Sequence, residues 1–505
     1  MRGRERETGY VSWRTEMTSA RSVVKGAFAI WSVTVVLWLL GEIVSTRQQG
    51  AGAADVTARV DRVFEAWRDT KGPGCAVGVS RNGAVVYEHG YGMANLETGT
   101  PIRPSSIFHV ASVAKQFTAM AVMLLARDGK LSLDDDIRKY ITEIPDYGTP
   151  ITIRHLLTHT SGLRDQWELI GLSRGRFEEN RITEADVMDI VARQKALNFT
   201  PGAEHVYSNT GFTLLAVIVK RVAGKSLRDF ADENVFKPLA MANTHFHDDY
   251  TMLVPGRTSA YARRAGGWHV SIPNFDVYGA TNLFTTVGDL LKWEANFDHP
   301  IIGDRTLFDQ METPARLTNG ETTRYGFGVG VSRYRGARVV EHDGADAGYR
   351  SYVGRFPEQG LAIAVLCNAA TANPTLLARG VTDAYLGSAL APVEKEVAPK
   401  GGPLFDGTLS RRATAGSSSA LAAYAGEYYS EEVDARYRVV VTNSALSFRT
   451  GTSDPTLAWR LSSDTFEWNG YYTVEFVRNG PRVTGFDVTN DRMRRVRFVR
   501  MPGRR

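Results

Sequence analysis

The spacing of hydrophobic and polar positions changes period several times along the chain, and each change marks a predicted element. Between 55 and 70 (DVTARVDRVFEAWRDT), Val60, Val63, Phe64 and Trp67 recur at helical spacing, which predicts an amphipathic helix. Two strand patterns follow, CAVGVSR and AVVYEHGYG. They are joined by Asn82-Gly83, a pair that favours a tight hairpin because both residues tolerate positive φ. From Ser112 to Arg127 the apolar residues Val113, Phe117, Met120, Ala121 and Leu124 predict a helix that stops at Gly129. Residues 150 to 330 read as helices broken by turn residues, and 338 to 368 return to strand patterns (RVVEHDG, YRSYVGRF, LAIAVLCNA). Strands at both ends with helices between them predict an α/β fold: one sheet made by both termini of the region, with an inserted helical lobe.

Residues 391–420 (APVEKEVAPKGGPLFDGTLSRRATAGSSSA) are rich in Pro, Gly, Ser and charge, the composition of a linker. Beyond them, 421–501 alternates in short segments with turns at Asn469-Gly470 and Asn479-Gly480, which predicts a small antiparallel β unit closing into a barrel. At the other end, Gly26 to Gly41 (GAFAIWSVTVVLWLLG) holds no charge and follows Arg2, Arg4, Arg6, Arg14, Arg21 and Lys25. This is a membrane-targeting pattern, either a cleaved signal or a retained anchor, and it sends the rest of the chain out of the cytoplasm. The expected organisation is a targeting segment at 1–54, a main α/β region at 55–390, a linker at 391–420 and a β unit at 421–505.

At 505 residues the chain can bury a sizeable core. Its formal charge of +5 lies mostly in the opening segment, and no basic stripe with interleaved aromatics appears elsewhere, which argues against nucleic acid as a partner. A small-molecule or peptide substrate fits better. The two cysteines, Cys75 and Cys367, sit in apolar strand-like runs, where the default is a buried free thiol, although one bridge outside the cytoplasm stays open. The two runs are expected to be neighbours in one sheet.

Three short motifs can carry chemistry. Ser112-Val113-Ala114-Lys115 places an amine one turn from a hydroxyl, which suits a serine activated by a lysine kept partly neutral by burial against the helical lobe and by a nearby cationic His342. Taken alone it is weak: Ser22-Val23-Val24-Lys25 matches it too, and Ser112 could equally be a helix N-cap. Tyr207-Ser208-Asn209 precedes a helical run and offers a phenol for proton transfer and an amide for a substrate or for Lys115, against the plain readings of packing tyrosine and helix cap. His342-Asp343-Gly344 ends a strand. There Gly344 lets the backbone approach a substrate, and the N–H of Ala345 can join an oxyanion hole. His155 with His159, and His245 with His247, Asp248 and Asp249, could suit a metal, but the first pair has no evident third ligand and a polar loop explains the second cluster more simply, and neither a metal nor a cofactor is assigned.

Taken together, SVAK, YSN and HDG resemble the SxxK, YxN and KTG-or-HxG set of the class C β-lactamase, DD-peptidase, D-aminopeptidase and esterase family. The segments FHVASVAKQFTA, ITIRHLLTHTSGL, FTPGAEHVYSNTGFTLL, FKPLAM, NLFTTVGDL and YGFGVGV extend the likeness across about 57–390, and LAAYAGEYYS resembles an appended lipocalin-like unit. The resemblance implies a serine hydrolase that forms an acyl-enzyme on an ester or amide. In it Ser112 is the nucleophile, Lys115 and Tyr207 are the acid/base pair, and Asn209, His342, Gly344 and Ala345 lie on the substrate and oxyanion side. Which of Lys115 and Tyr207 is the acylation base stays open. His342 departs from the lysine common in β-lactamases and carboxypeptidases, which points away from those reactions and toward an esterase or D-amino-acid peptidase. The alternative is a cell-wall-peptide or penicillin sensor, acylated at Ser112 without turnover.

Overall fold

The computed structural model describes residues 55–175, 180–392, 418–451 and 454–502. The predicted targeting segment Gly26–Gly41 and most of the linker lie outside these residues. No helix among the described residues is long and apolar enough to cross a membrane. Contacts divide the chain at Arg62/Val63. Residues 55–63 are helical, followed by one 3-10 turn at Glu65–Trp67, so the first helix is shorter than its apolar pattern suggested. Val63–Arg505 forms the larger unit.

Its centre is a six-stranded antiparallel sheet of β1 (Cys75–Arg81), β2 (Ala84–Tyr91), β3 (Gly330–Tyr334), β4 (Ala337–Asp346), β5 (Tyr349–Phe356) and β6 (Leu361–Cys367), in the order β3-β4-β5-β6-β1-β2. The expected sheet from both termini is thus formed where β1 pairs with β6. These two strands are buried almost throughout, which explains why CAVGVSR and LAIAVLC read as continuous apolar runs and not as alternating ones. Asn82 (φ 49°) and Gly83 (φ 79°) make the β1–β2 turn with positive φ at both positions.

Four helices matter for the site: α1 (Lys115–Arg127), α2 (Asn209–Ala223), α3 (Val287–Asp298) and α4 (Pro374–Leu386). Arg355 of β5 pairs with Glu294 of α3, whereas Tyr352 accepts from Arg379 of α4. Residues 352 and 355 point to opposite faces of a strand, so α3 and α4 cover opposite faces of the sheet.

Cys75 and Cys367 lie directly opposite each other in the β1–β6 register and are joined in a disulfide, with Cα atoms 4.0 Å apart. The strands are neighbours as expected. The free-thiol expectation is corrected, because an antiparallel register that aligns two cysteines brings their sulfurs together.

The C-terminal strands close into an eight-stranded antiparallel barrel: β7 (Gly426–Ser430), β8 (Ala435–Thr442), β9 (Ala445–Thr450), β10 (Thr456–Arg460), β11 (Thr465–Trp468), β12 (Tyr472–Asn479), β13 (Arg482–Thr489) and β14 (Val496–Arg500). Alternate residues point inward, and Tyr428, Tyr437, Phe448, Trp468, Phe476, Phe486 and Phe498 are nearly or fully buried there, so the interior is a packed aromatic core. The barrel lies against the helical lobe through a polar contact. Arg164 reaches Glu432, and its guanidinium also donates to the carbonyls of Arg494 and Arg495 at 3.0 and 3.1 Å. Both charged side chains are almost fully buried.

Candidate active site

The site begins with a strained turn. Ala111 has φ 47°, a conformation uncommon for a residue with a Cβ, and residues Ala111–Ala114 form a 3-10 turn that leads into α1. The predicted helix start at Ser112 is therefore moved to Lys115, and Ser112 is not an N-cap. A 3-10 turn eclipses residues three apart, so the Ser112 hydroxyl stands over the Lys115 side chain, with Nζ and Oγ 3.1 Å apart. Ser112 remains half-exposed to the cleft while Lys115 is wholly buried.

Three acceptors surround the Lys115 amine: Ser112 Oγ, Asn209 Oδ1 at 2.8 Å and the Ala280 carbonyl at 2.7 Å. Burial penalises the ammonium form and lowers the lysine pKa from 10.5 to about 7. Asp165 opposes that shift, and Arg492 reinforces it. In the neutral form the shared hydrogen bond reverses, and the serine O–H donates to the amine. His342 was expected to supply positive charge here, and the structure corrects this. The His342 ring is buried and its pKa is lowered to about 4. Its Nδ1–H donates to the Asp343 carbonyl at 2.6 Å, and its Nε2 accepts from the Tyr325 hydroxyl at 2.9 Å. It is a neutral imidazole with both nitrogens engaged.

Asn209 opens α2, where Ser208 makes no side-chain cap. The missing cap comes from Asp165, a wholly buried carboxylate that accepts from the Asn209 backbone N–H at 2.6 Å and from its side-chain amide at 2.9 Å. Because Nδ2 is held by Asp165, Oδ1 must face Lys115. Asp165 thus orients the amide that orients the lysine. Nothing in the motif spacing singled it out, although it directly follows the quoted segment HTSGL by one residue, Arg164.

The Tyr207 ring lies between these groups, with Lys115 Nζ 4.9 Å from its centroid and the His159 ring 4.1 Å away at a tilt of 35°. Its buried hydroxyl makes no hydrogen bond of ordinary geometry, while burial holds its pKa well above the usual phenol range and the nearby Ser112 hydroxyl partly offsets this. Gly344 ends the approach of β4 to Ser112. A Cβ on it would lie 2.5 Å from the Val110 carbonyl and 3.0 Å from the Ser112 nitrogen, so only glycine lets the strand sit beside the backbone N–H of Ser112. Ala345 follows in the same strand, paired with Arg350.

The sequence reading placed no residue of the β unit in the site, and here too the structure differs. The loop between β13 and β14 brings the Arg492 guanidinium to 5.0 Å from the Tyr207 ring centroid. The Arg492 carbonyl accepts from the Asp165 N–H at 3.2 Å and from Asn198 Nδ2 at 2.9 Å. The histidine pairs have structural partners. His155 caps its own short helix with Thr152, and His159 Nδ1 accepts from the Ser208 N–H at 3.2 Å. His245 and His247 contact each other at 3.2 Å, and no group of three potential ligands occurs among the described residues.

Residues 60–387 match the Beta-lactamase family model. The chain is 28% identical over 298 residues to a D-aminopeptidase of Gluconobacter oxydans, covering 59% of this chain and 56% of that protein. It is 31% identical over 280 residues to a D-aminopeptidase of Brucella canis, covering 55% and 53%. The chain thus spans about half the length of the curated relatives it matches. Among solved structures, the octameric penicillin-binding protein homologue from Pyrococcus abyssi superposes with a TM-score of 0.60 at 25% identity, over 88% of this chain and all of that one. The D-amino acid amidase from Ochrobactrum anthropi shares the fold at TM-score 0.55 and 22% identity, over 66% of this chain and 99% of that one.

Proposed function

The chain belongs to the Beta-lactamase family, and on that premise we propose that it is a serine hydrolase cleaving esters or amides of D-amino acids through an acyl-enzyme on Ser112. The observation that carries this reading is the buried Lys115 amine, held 3.1 Å from the serine oxygen with its pKa lowered to about 7.

In the reaction, neutral Lys115 takes the Ser112 proton as the oxygen attacks the scissile carbonyl. The backbone N–H groups of Ser112 and Ala345 hold the oxyanion. The Tyr207 phenol, kept protonated at neutral pH by burial, delivers a proton to the leaving amine or alkoxide and regains one from the lysinium. Water then attacks the ester carbonyl and frees Ser112. A neutral His342 speaks against the lysine-dependent attraction of a substrate carboxylate, and the D-aminopeptidase relatives favour D-configured substrates.

We place the enzyme outside the cytoplasm. The basic, then apolar, opening segment and the Cys75–Cys367 disulfide both suit an oxidising compartment, and the segment's fate, whether cleaved or retained as an anchor, belongs to the same proposal.

The test is a panel of nitrophenyl esters, D- and L-alanine nitroanilides and a chromogenic cephalosporin, with intact-mass detection of the acyl adduct. D-anilide turnover above L-anilide, and an adduct lost in Ser112→Ala, are expected. Turnover unchanged in Ser112→Ala, or an adduct that never hydrolyses, would overturn the proposal, the latter in favour of a sensor.

A further inference from the structure

A cleft of about 630 Å³ opens beside the short strand Leu283–Thr285, and none of Ser112, Lys115, Tyr207, Asn209, His342 or Ala345 lines it. Its lining combines apolar Val270, Ile272 and Phe284 with basic Arg257 and Arg264 and the His247 ring. Among the described residues no Asp or Glu lines the cleft. The Arg257 guanidinium lies over Phe284, 4.8 Å from its centroid, and among the described residues it makes no ion pair with a carboxylate. His247 is 2% exposed. Its Nδ1 contacts His245, and its Nε2 is buried without a hydrogen-bond partner, which is an uncommon state for a polar atom.

These features ask for a ligand with an anionic head and an apolar body. Two guanidinium groups match a carboxylate in charge, and Val270, Ile272 and Phe284 suit a ring or branched chain. Burial holds both rings, His245 and His247, well below the usual imidazole range, helped at His247 by the field of Arg257 and at His245 by that of His247, so the cleft's charge comes from the arginines while His247 offers a neutral N–H.

We propose that this cleft is a second binding site for a small aromatic or branched carboxylate, held by Arg257 and Arg264 with the His247 ring completing the polar side. The carboxylate comes either from a separate molecule or from the far end of a long substrate. Phe284 also packs edge-on against His109, 5.4 Å away and three residues before Ser112, so occupancy of the cleft bears on the short strand Phe108–His109 that leads into the turn holding Ser112.

The experiment uses the full chain carrying Ser112→Ala, so binding is read without turnover and independently of the hydrolase proposal. Phenylacetate and phenylacetamide differ in charge and little in shape. Titration calorimetry should show phenylacetate binding at least tenfold more tightly. Arg257→Gln should erase that difference, and Arg264→Gln, at an exposed position where folding is not at risk, should reduce it several-fold. In the active protein a separate ligand leaves the KM of nitrophenyl acetate unchanged and does not compete with a long anionic peptide ester. Occupation by the substrate's far end makes phenylacetate compete with the long ester only. Equal binding of both probes, no binding of either, indifference to both arginine substitutions, or competition with nitrophenyl acetate would each overturn the proposal.

Discussion

If Lys115 is the acylation base, the rate of acylation must follow the fraction of neutral amine, and the surroundings that set this fraction can be altered one charge at a time. With the pKa lowered from 10.5 to about 7, about half of the amine is neutral at pH 7, against roughly one part in three thousand for an unshifted lysine. Acylation measured as the burst rate with a nitrophenyl ester should therefore rise about tenfold per pH unit below 7 and level off above it. Two substitutions then move this limb in opposite directions. Asp165→Asn removes the largest charge favouring the ammonium form, so the limb shifts to lower pH; Arg492→Gln removes the largest charge opposing it, so the limb shifts to higher pH. Neither residue touches the reacting atoms, and a merely structural effect would lower the plateau without moving the midpoint. Lys115→Ala and Lys115→Arg should both lose several orders of magnitude, the latter because guanidinium stays protonated. A profile that is flat from pH 5 to 9, or that moves the same way in both charge variants, would refute the assignment of Lys115 as base.

Lys115→Met should stabilise the protein at pH 6 to 7. Keeping the amine buried costs about 5 kcal/mol for a shift of this size, and roughly 3 kcal/mol of hydrogen bonds lost on substitution leaves about 2 kcal/mol. The sign follows from linkage: a lowered lysine pKa favours the unfolded state below 7 and loses this effect as pH rises to 10.5, while the hydrogen bonds remain, so the melting temperatures of the two proteins should cross at about pH 8.5, above which the lysine protein is the more stable. The Cys75–Cys367 disulfide spans 292 residues, and its reduction or replacement by a Ser pair should lower stability by about 3 kcal/mol, read as a lower urea midpoint; an unchanged midpoint would show the bond to be energetically silent. Arg164→Ala leaves Glu432 buried without its partner and should cost about 3–5 kcal/mol, seen as early proteolysis of the 418–502 region, whereas an unaltered digestion pattern would show that this ion pair does not hold the barrel.

Much of the sheet was legible because β1 and β6 are covered on both faces and so read as unbroken apolar runs, and because Asn82-Gly83 can hardly be anything but a tight turn. That the three candidate motifs come together was legible for a different reason. Each places its groups through local backbone geometry, a turn or a strand end, and spacing of this kind survives in sequence. What spacing could not carry was long-range electrostatics. Asp165 lies 44 residues from Asn209, and the tyrosine that fixes the His342 tautomer lies 17 residues before it in another segment. The charge of a histidine depends on what surrounds it, so a cationic His342 was a fair expectation from sequence and a wrong one in the folded chain. The disulfide failed in the same manner: its two halves were recognised as strands, but their register is a property of the assembled sheet.

The barrel carries this argument furthest. Its strands were readable from alternation and turn residues, and nothing in their composition announces chemistry. Yet the Arg492 carbonyl accepts from Asp165, Asp165 holds Asn209, Asn209 holds Lys115, and the Arg492 side chain lies over Tyr207. One loop residue therefore touches the site twice, once through the backbone that supports the carboxylate and once through the charge that opposes it. The aromatic interior leaves the barrel packed with its own side chains, while its buried polar contacts, Arg164 with Glu432 and Glu168 with Tyr471 and Asn490, are spent on fixing that loop against the lobe. Removing the barrel at the linker is then not a neutral truncation. It takes away the cation that helps keep the lysine neutral and uncovers the Arg164 and Glu168 groups that it buries, so the basicity of the nucleophile's partner in α1 depends on a residue 377 positions away in sequence.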